Sequence, residues 1–215
     1  MRLIGPVAVA VWLALGSGPA APRPPSPIPV PVVPATGILD RVPVAALEAR
    51  LRPADLVFRR GNGLWSGYFA VASGDEGFYS HVGVAVFEGG QWRVVHTEAD
   101  DRSGIGGVRS DSLAEFLAGA RGVAVVRPAL NGPQAEATVR LAAAPDWRGI
   151  PFDRRFSLDD GGQAMYCTEW VQALVLSATG VDIARPRSRF GGRAIISVDD
   201  LRLGPGAVPV LEHRL

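Results

Sequence analysis

The chain has 215 residues, a formal net charge of +1 and 47% hydrophobic residues, which fits one folded domain with extensions and leaves no electrostatic footprint for nucleic acid. All 22 basic residues are arginine, which excludes Schiff-base chemistry, pyridoxal phosphate attachment and a P-loop, each of which needs a lysine amine. The chain's one cysteine leaves no internal disulfide to form.

Arg2 and the apolar stretch Leu3–Leu15, followed by Gly18-Pro19-Ala20, read as an export signal over residues 1–20. The stretch is short for a membrane span, and an uncleaved N-terminal anchor is the alternative. Residues 21–38 form a proline-rich extended linker, so the folded domain is expected over residues 39–215. Pro43 suits a first helical position, with a short helix through Leu51, and Leu56-Val57-Phe58 is a strand. Leu64–Ala72 has helical spacing of Trp65, Tyr68, Phe69 and Ala72, and Ser73–Gly77 is a loop.

His81–Phe87 reads as a buried strand, Glu88-Gly89-Gly90 as a turn and Gln91–Glu98 as the return strand of a hairpin. Ser103–Gly107 is a glycine-rich loop without the strand–turn–helix context of a phosphate cradle. Ser112-Leu113-Ala114-Glu115 is a capping box that starts a helix to Ala118. A strand follows at Val123–Val126, then a helix from Pro133 to Ala143, then an irregular stretch from Trp147 to Gly162. Cys167 lies in the first turn of an amphipathic helix whose apolar stripe is Trp170, Val171, Leu174, Val175 and Ala178, with Gly180 as its stop. Ala194–Val198 and Ala207–Leu211 are expected to be closing strands, and the order of elements indicates an α+β fold.

A helix start presents unpaired N–H groups and partial positive charge, which favour a thiolate at Cys167. His96 and Glu98 are two apart on one strand and share a face, while His81 begins the partner strand. If the cysteine helix packs across that face, a nucleophile, a base and an orienting group meet. Cys167 would attack a carbonyl, His81 would carry the proton and His96 would orient His81. The bland alternative is a buried structural Cys167. No close-spaced ligand pair suggests zinc, and no metal or cofactor is expected.

The segments Leu51-Arg52-Pro53-Ala54-Asp55-Leu56-Val57-Phe58, Tyr79-Ser80-His81-Val82-Gly83-Val84, Val94-Val95-His96-Thr97-Glu98 and Tyr166-Cys167-Thr168-Glu169-Trp170-Val171 resemble the YiiX/YebB-like (YaeF/YiiX) branch of the NlpC/P60 papain-like cysteine hydrolases. The resemblance covers roughly Leu51 to Ala178. It implies a circularly permuted papain-like fold, with an antiparallel sheet packed against helices and the histidine strand ahead of the cysteine helix. Residue by residue it implies Cys167 as nucleophile, His81 as base and His96 as the third polar group. Glu98 is the competitor for that third place. Glu169 is a structural support, Tyr166 lines the site or the core, and Asp55 is a turn former. Extra glycines between the histidine strands depart from the pattern and would widen the separation of His81 and His96.

The function so implied is an exported cysteine hydrolase of the periplasm or extracellular space. It would cleave a peptide or acyl-amide bond through a Cys-His-His triad and a thioester, with a peptide, cell-wall or acylated substrate and no nucleic acid partner. A lipid-directed acyltransferase or thioesterase close to the membrane, and a non-catalytic envelope-binding domain, are the alternatives.

Overall fold

The computed structural model describes residues 37–62, 70, 72, 76–100, 102–185 and 188–215. The expected export signal, nearly all of the proline-rich linker and most of the expected helix over Leu64–Ala72 lie outside the described residues. Ile38, placed by sequence at the end of the linker, belongs to the fold. Its N–H donates to the Ala120 carbonyl at 2.6 Å and its side chain is buried.

The organising element is one antiparallel sheet. Its strands are β1 (Leu56–Arg60), β2 (His81–Glu88), β3 (Gln91–Ala99), β4 (Gly106–Ser112) and β5 (Gly122–Arg127), while β6 (Ser188–Phe190) and β7 (Arg193–Ile195) form a separate hairpin. The last strand, β8 (Val208–Arg214), returns to the main sheet, whose order is β4-β3-β2-β1-β5-β8. Gly89 and Gly90 join β2 to β3 with φ of +60° and +81°, the backbone that a two-residue hairpin turn needs and that glycine adopts without a Cβ clash.

Side chains alternate across the sheet and separate two cores. Leu56, Phe58, Val82, Val84, Val86, Val95 and Ala124 belong to the first core, together with residues of α3 (Gly132–Ala143), α5 (Cys167–Thr179) and α6 (Val198–Arg202). Val57, Ala85, Val94, Val123 and Val125 belong to the second, under α1 (Val44–Glu48) and α2 (Leu113–Phe116). A one-turn α4 (Pro145–Arg148) interrupts the stretch expected to be irregular. In α5, the buried Trp170, Val171, Leu174 and Val175 form the expected stripe, each such side chain contributing about 1.5–3 kcal/mol of burial. Gly180 ends this helix in the left-handed region, its N–H donating to Leu176 O at 2.8 Å.

Two elements differ from the sequence reading. The strand expected over Ala194–Val198 stops at Ile195, because Ser197 caps α6: the Asp200 N–H donates to its hydroxyl at 3.1 Å and its own N–H donates to the Asp200 carboxylate at 2.8 Å. The glycine-rich loop gives way at Gly106 to a seven-residue strand. A Cβ at Gly106 would stand 2.0 Å from Glu98 O, so the glycine that suggested a loop is what lets β4 approach β3. Asp55 is a turn former, accepting the Arg52 N–H, and also a clamp: both Arg127 Nε and Nη2 reach its carboxylate at 2.8 Å.

Gly83 is the tightest point near the histidines. A Cβ there would lie 2.5 Å from Val94 Cγ1 and 2.9 Å from both His96 Cβ and Val95 O. Gly83→Ala is expected to cost about 1–3 kcal/mol through overpacking, read as a lower urea midpoint with an unchanged slope. Parent-like stability would show that β3 can move aside.

Candidate active site

His81 opens β2 and His96 lies on β3. His81 Nε2 is 2.8 Å from His96 Nδ1, and the rings meet nearly at right angles with centroids 4.9 Å apart. The extra glycines of the hairpin therefore do not separate them. Both rings lie beneath Phe116 of α2, at centroid distances of 5.7 and 4.9 Å.

That position corrects the expected packing. The histidines are on the α2 face of the sheet, whereas α5 covers the other face. The nucleophile and base candidates reach one cavity from opposite faces at the end of β2: Cys167 is the first residue of α5, and its sulfur accepts the backbone N–H groups of Val82 and Thr168. Cys167 and His81 line one cavity of about 220 Å³ with Arg59, Glu98, Phe152, Phe156 and Tyr166 among its walls.

Glu98, the competitor for the third place, is held elsewhere. It is ion-paired to Arg59, which reaches it from β1 across the strand that carries His81, and to Arg109 at 3.6 Å. Arg59 is itself anchored on α2, donating to Phe116 O at 2.7 Å with its guanidinium 4.8 Å from the ring centroid. Tyr166 fills both of its expected places: its ring lines the cavity and its hydroxyl accepts the Ile196 N–H at 2.8 Å. Glu169 is buried on α5 and is not among the cavity's lining residues.

One polar group here was not singled out by sequence. Asp111 on β4 places Oδ2 3.2 Å from His96 Nε2, and its Oδ1 accepts from Arg109 at 3.0 Å. Its strand, Gly-Gly-Val-Arg-Ser-Asp-Ser, has a single apolar side chain, so hydrophobic periodicity is silent there. The neighbouring capping box directs attention to a helix start and away from a strand end.

Electrostatics corrects a second expectation. Burial pushes the Cys167 thiol up to about 11, against the pull of the two N–H groups on its sulfur. His81 is held well below the usual imidazole range, first by burial and then by the Arg59 guanidinium. His96 is lowered by burial despite its bond to Asp111. At neutral pH the resting pair is thus a thiol and a neutral imidazole, not a thiolate and an imidazolium.

Residues 50–199 match the family model described as permuted papain-like amidase enzyme, YaeF/YiiX, C92 family. Among solved structures, the fold is similar to that titled crystal structure of metalloprotein yiiX from Escherichia coli O157:H7, with a TM-score of 0.64 and 18% identity, covering 77% of this chain and 99% of that one. No curated protein matches the sequence.

The two histidines make stability fall in mild acid. Their folded pKa values lie below the unfolded value of 6.5, so below it the unfolded chain binds more protons and stability is lost as pH falls. Urea titrations between pH 6.5 and 5 are expected to show a slope of up to about 1.4 kcal/mol per pH unit for each histidine. His81→Asn should flatten it, and an equally steep slope in that variant would assign the loss elsewhere.

Proposed function

Because this chain belongs to the permuted papain-like amidases of the YaeF/YiiX type, and so is a cysteine hydrolase, we propose that it cleaves an amide bond in a peptide or acylated amine through Cys167, His81 and His96. The observation that carries the reading is the shared cavity, into which the chain's one cysteine and a histidine bonded to a second histidine both project. His81 takes the thiol proton as Cys167 Sγ bonds to the carbonyl carbon. The same imidazole returns that proton to the amine as the C–N bond breaks. Water then cleaves the thioester with His81 again as base, releasing the acid and restoring the thiol. The backbone N–H of Cys167, at the start of α5, would help hold the oxyanion.

The lining of the cavity is mixed, with more apolar than polar surface. Phe152, Phe156 and Tyr166 form an aromatic wall, and Arg59, Glu98, Asp100, Arg102 and Arg154 supply charge. A peptide or a charged acyl-amide suits this mixture better than a bare acyl chain, which favours hydrolase over lipid acyltransferase. Export is part of the same proposal and rests on Arg2, Leu3–Leu15 and the proline-rich run after them, while the proposed kinship with NlpC/P60 enzymes rests on the histidine-strand and cysteine-helix motifs.

The similar fold titled a metalloprotein raises a metal reading. The donors here would be His96, Glu98 and Asp111, whose ligand atoms lie within 4.8 Å of one another. They do not fit a cation: Arg59 and Arg109 already neutralise the two carboxylates, and both nitrogens of His96 are engaged. A cation would have to enter beside two guanidiniums and break the bond to His81.

Incubation with a panel of dipeptides and N-acyl amino acids is expected to trap an acyl group on Cys167, seen by mass spectrometry. Cys167→Ala and His81→Ala are expected to lower the hydrolysis rate about 1000-fold or more. Undiminished hydrolysis in the Cys167→Ala protein would end the proposal.

A further inference from the structure

Both ring nitrogens of His96 have partners, and the partner on β4 dictates where its proton sits. Asp111 is held below the ordinary carboxylate range, first by its bond with His96, and an ionised carboxylate can only accept. His96 Nε2, 3.2 Å from Asp111 Oδ2, must therefore carry a proton. His96 is fully buried and neutral, so its Nδ1 carries none and accepts. The donor to that Nδ1 is His81 Nε2, at 2.8 Å, which leaves the lone pair of neutral His81 on Nδ1.

We propose that Asp111 is a positioning residue that fixes the tautomers of both histidines and so selects His81 Nδ1 as the atom that takes the Cys167 proton. The proposal rests on the reading of Cys167 and His81 as nucleophile and base. Among the described residues no other group is placed to do the same. The charged and titratable groups facing His96 are Arg59 from β1, His81 from β2, Glu98 from β3, and Arg109 and Asp111 from β4, with the neutral Phe116 from α2. Arg59 and Arg109 only donate, and Glu98 is taken by both of them. Arg109 also grips Asp111 Oδ1, which turns Oδ2 toward the imidazole.

The conservative change is the informative one. In Asp111→Asn the side-chain amide can offer an N–H to His96 Nε2. The relay then reverses: His96 Nδ1–H donates to His81 Nε2, and the proton of His81 moves to Nδ1, the atom assigned as base. The base is then lost although the packing is kept.

The test has two arms. In the Cys167→Ala protein, ¹⁵N spectra of the imidazoles are expected to show both histidines protonated at Nε2, with Asp111→Asn moving both protons to Nδ1. With Cys167 present, alkylation by iodoacetamide at neutral pH is expected to slow about 10- to 100-fold in Asp111→Asn, with an altered pH–rate profile, while Glu98→Gln leaves the tautomers unchanged. His81 protonated at Nδ1 in the protein with Asp111 intact, or parent-like alkylation and profile in Asp111→Asn, would overturn the assignment. The tautomers are read without any substrate. Correct tautomers in a protein that hydrolyses no amide would therefore defeat the amidase reading alone, and reversed tautomers in an active enzyme would defeat this one alone.

Discussion

The candidate site depends on how closely β3 approaches β2 at Gly83. A single methyl group there would overlap Val94 and crowd His96. Without it, the second imidazole lies against the backbone of the strand that carries the first, within bonding distance of His81. The two-residue Gly89-Gly90 turn sets the register that brings them together. Phe116 closes the pair from above, and Arg59 ties the lid helix to Glu98 beyond it. Gly83, two imidazoles and one aromatic ring make this corner of the sheet narrow.

Two opposed fields act on the cysteine, and their sizes decide its state. A helix N-terminus is worth roughly 0.3–2 kcal/mol to an adjacent negative charge, or about one pK unit. Full burial can move a titratable group by 3–5 units. Cys167 is 7% exposed, and burial wins. The same balance lowers both histidines. On the proposed mechanism the proton leaves sulfur as the carbon–sulfur bond forms, and the base must already be aimed when substrate arrives.

The sequence made legible those parts of the fold that rest on one local rule. Alternating valines revealed β2 and β3, glycines revealed their turn, and the stripe from Trp170 to Val175 with its glycine stop revealed the cysteine helix. Cys167, His81 and His96 became candidates because chain order and strand spacing brought them into one argument. What stayed hidden depended on contacts between distant segments. β4 is polar because it is an edge strand, and its pairing is visible only once β3 is in place. Asp111 was obscured with it. The packing of the histidines on the face away from α5 also escaped, since alternation says which residues share a face but not which helix covers it. The cap at Ser197 was legible, with Asp200 three residues on, but the apolar run before it suggested a longer strand.

The buried, protonated state of Cys167 bears on how long the protein survives. Oxidants attack thiolates far faster than thiols, and a sulfur enclosed by Val82, Thr168 and the cavity wall presents little of either. The chain has no second cysteine to resolve a sulfenic acid as an internal disulfide, so its repair would depend on an external thiol. On the proposed mechanism, a thiol that ionises only when substrate is engaged gives up permanent activation and gains resistance to chemical wear between turnovers.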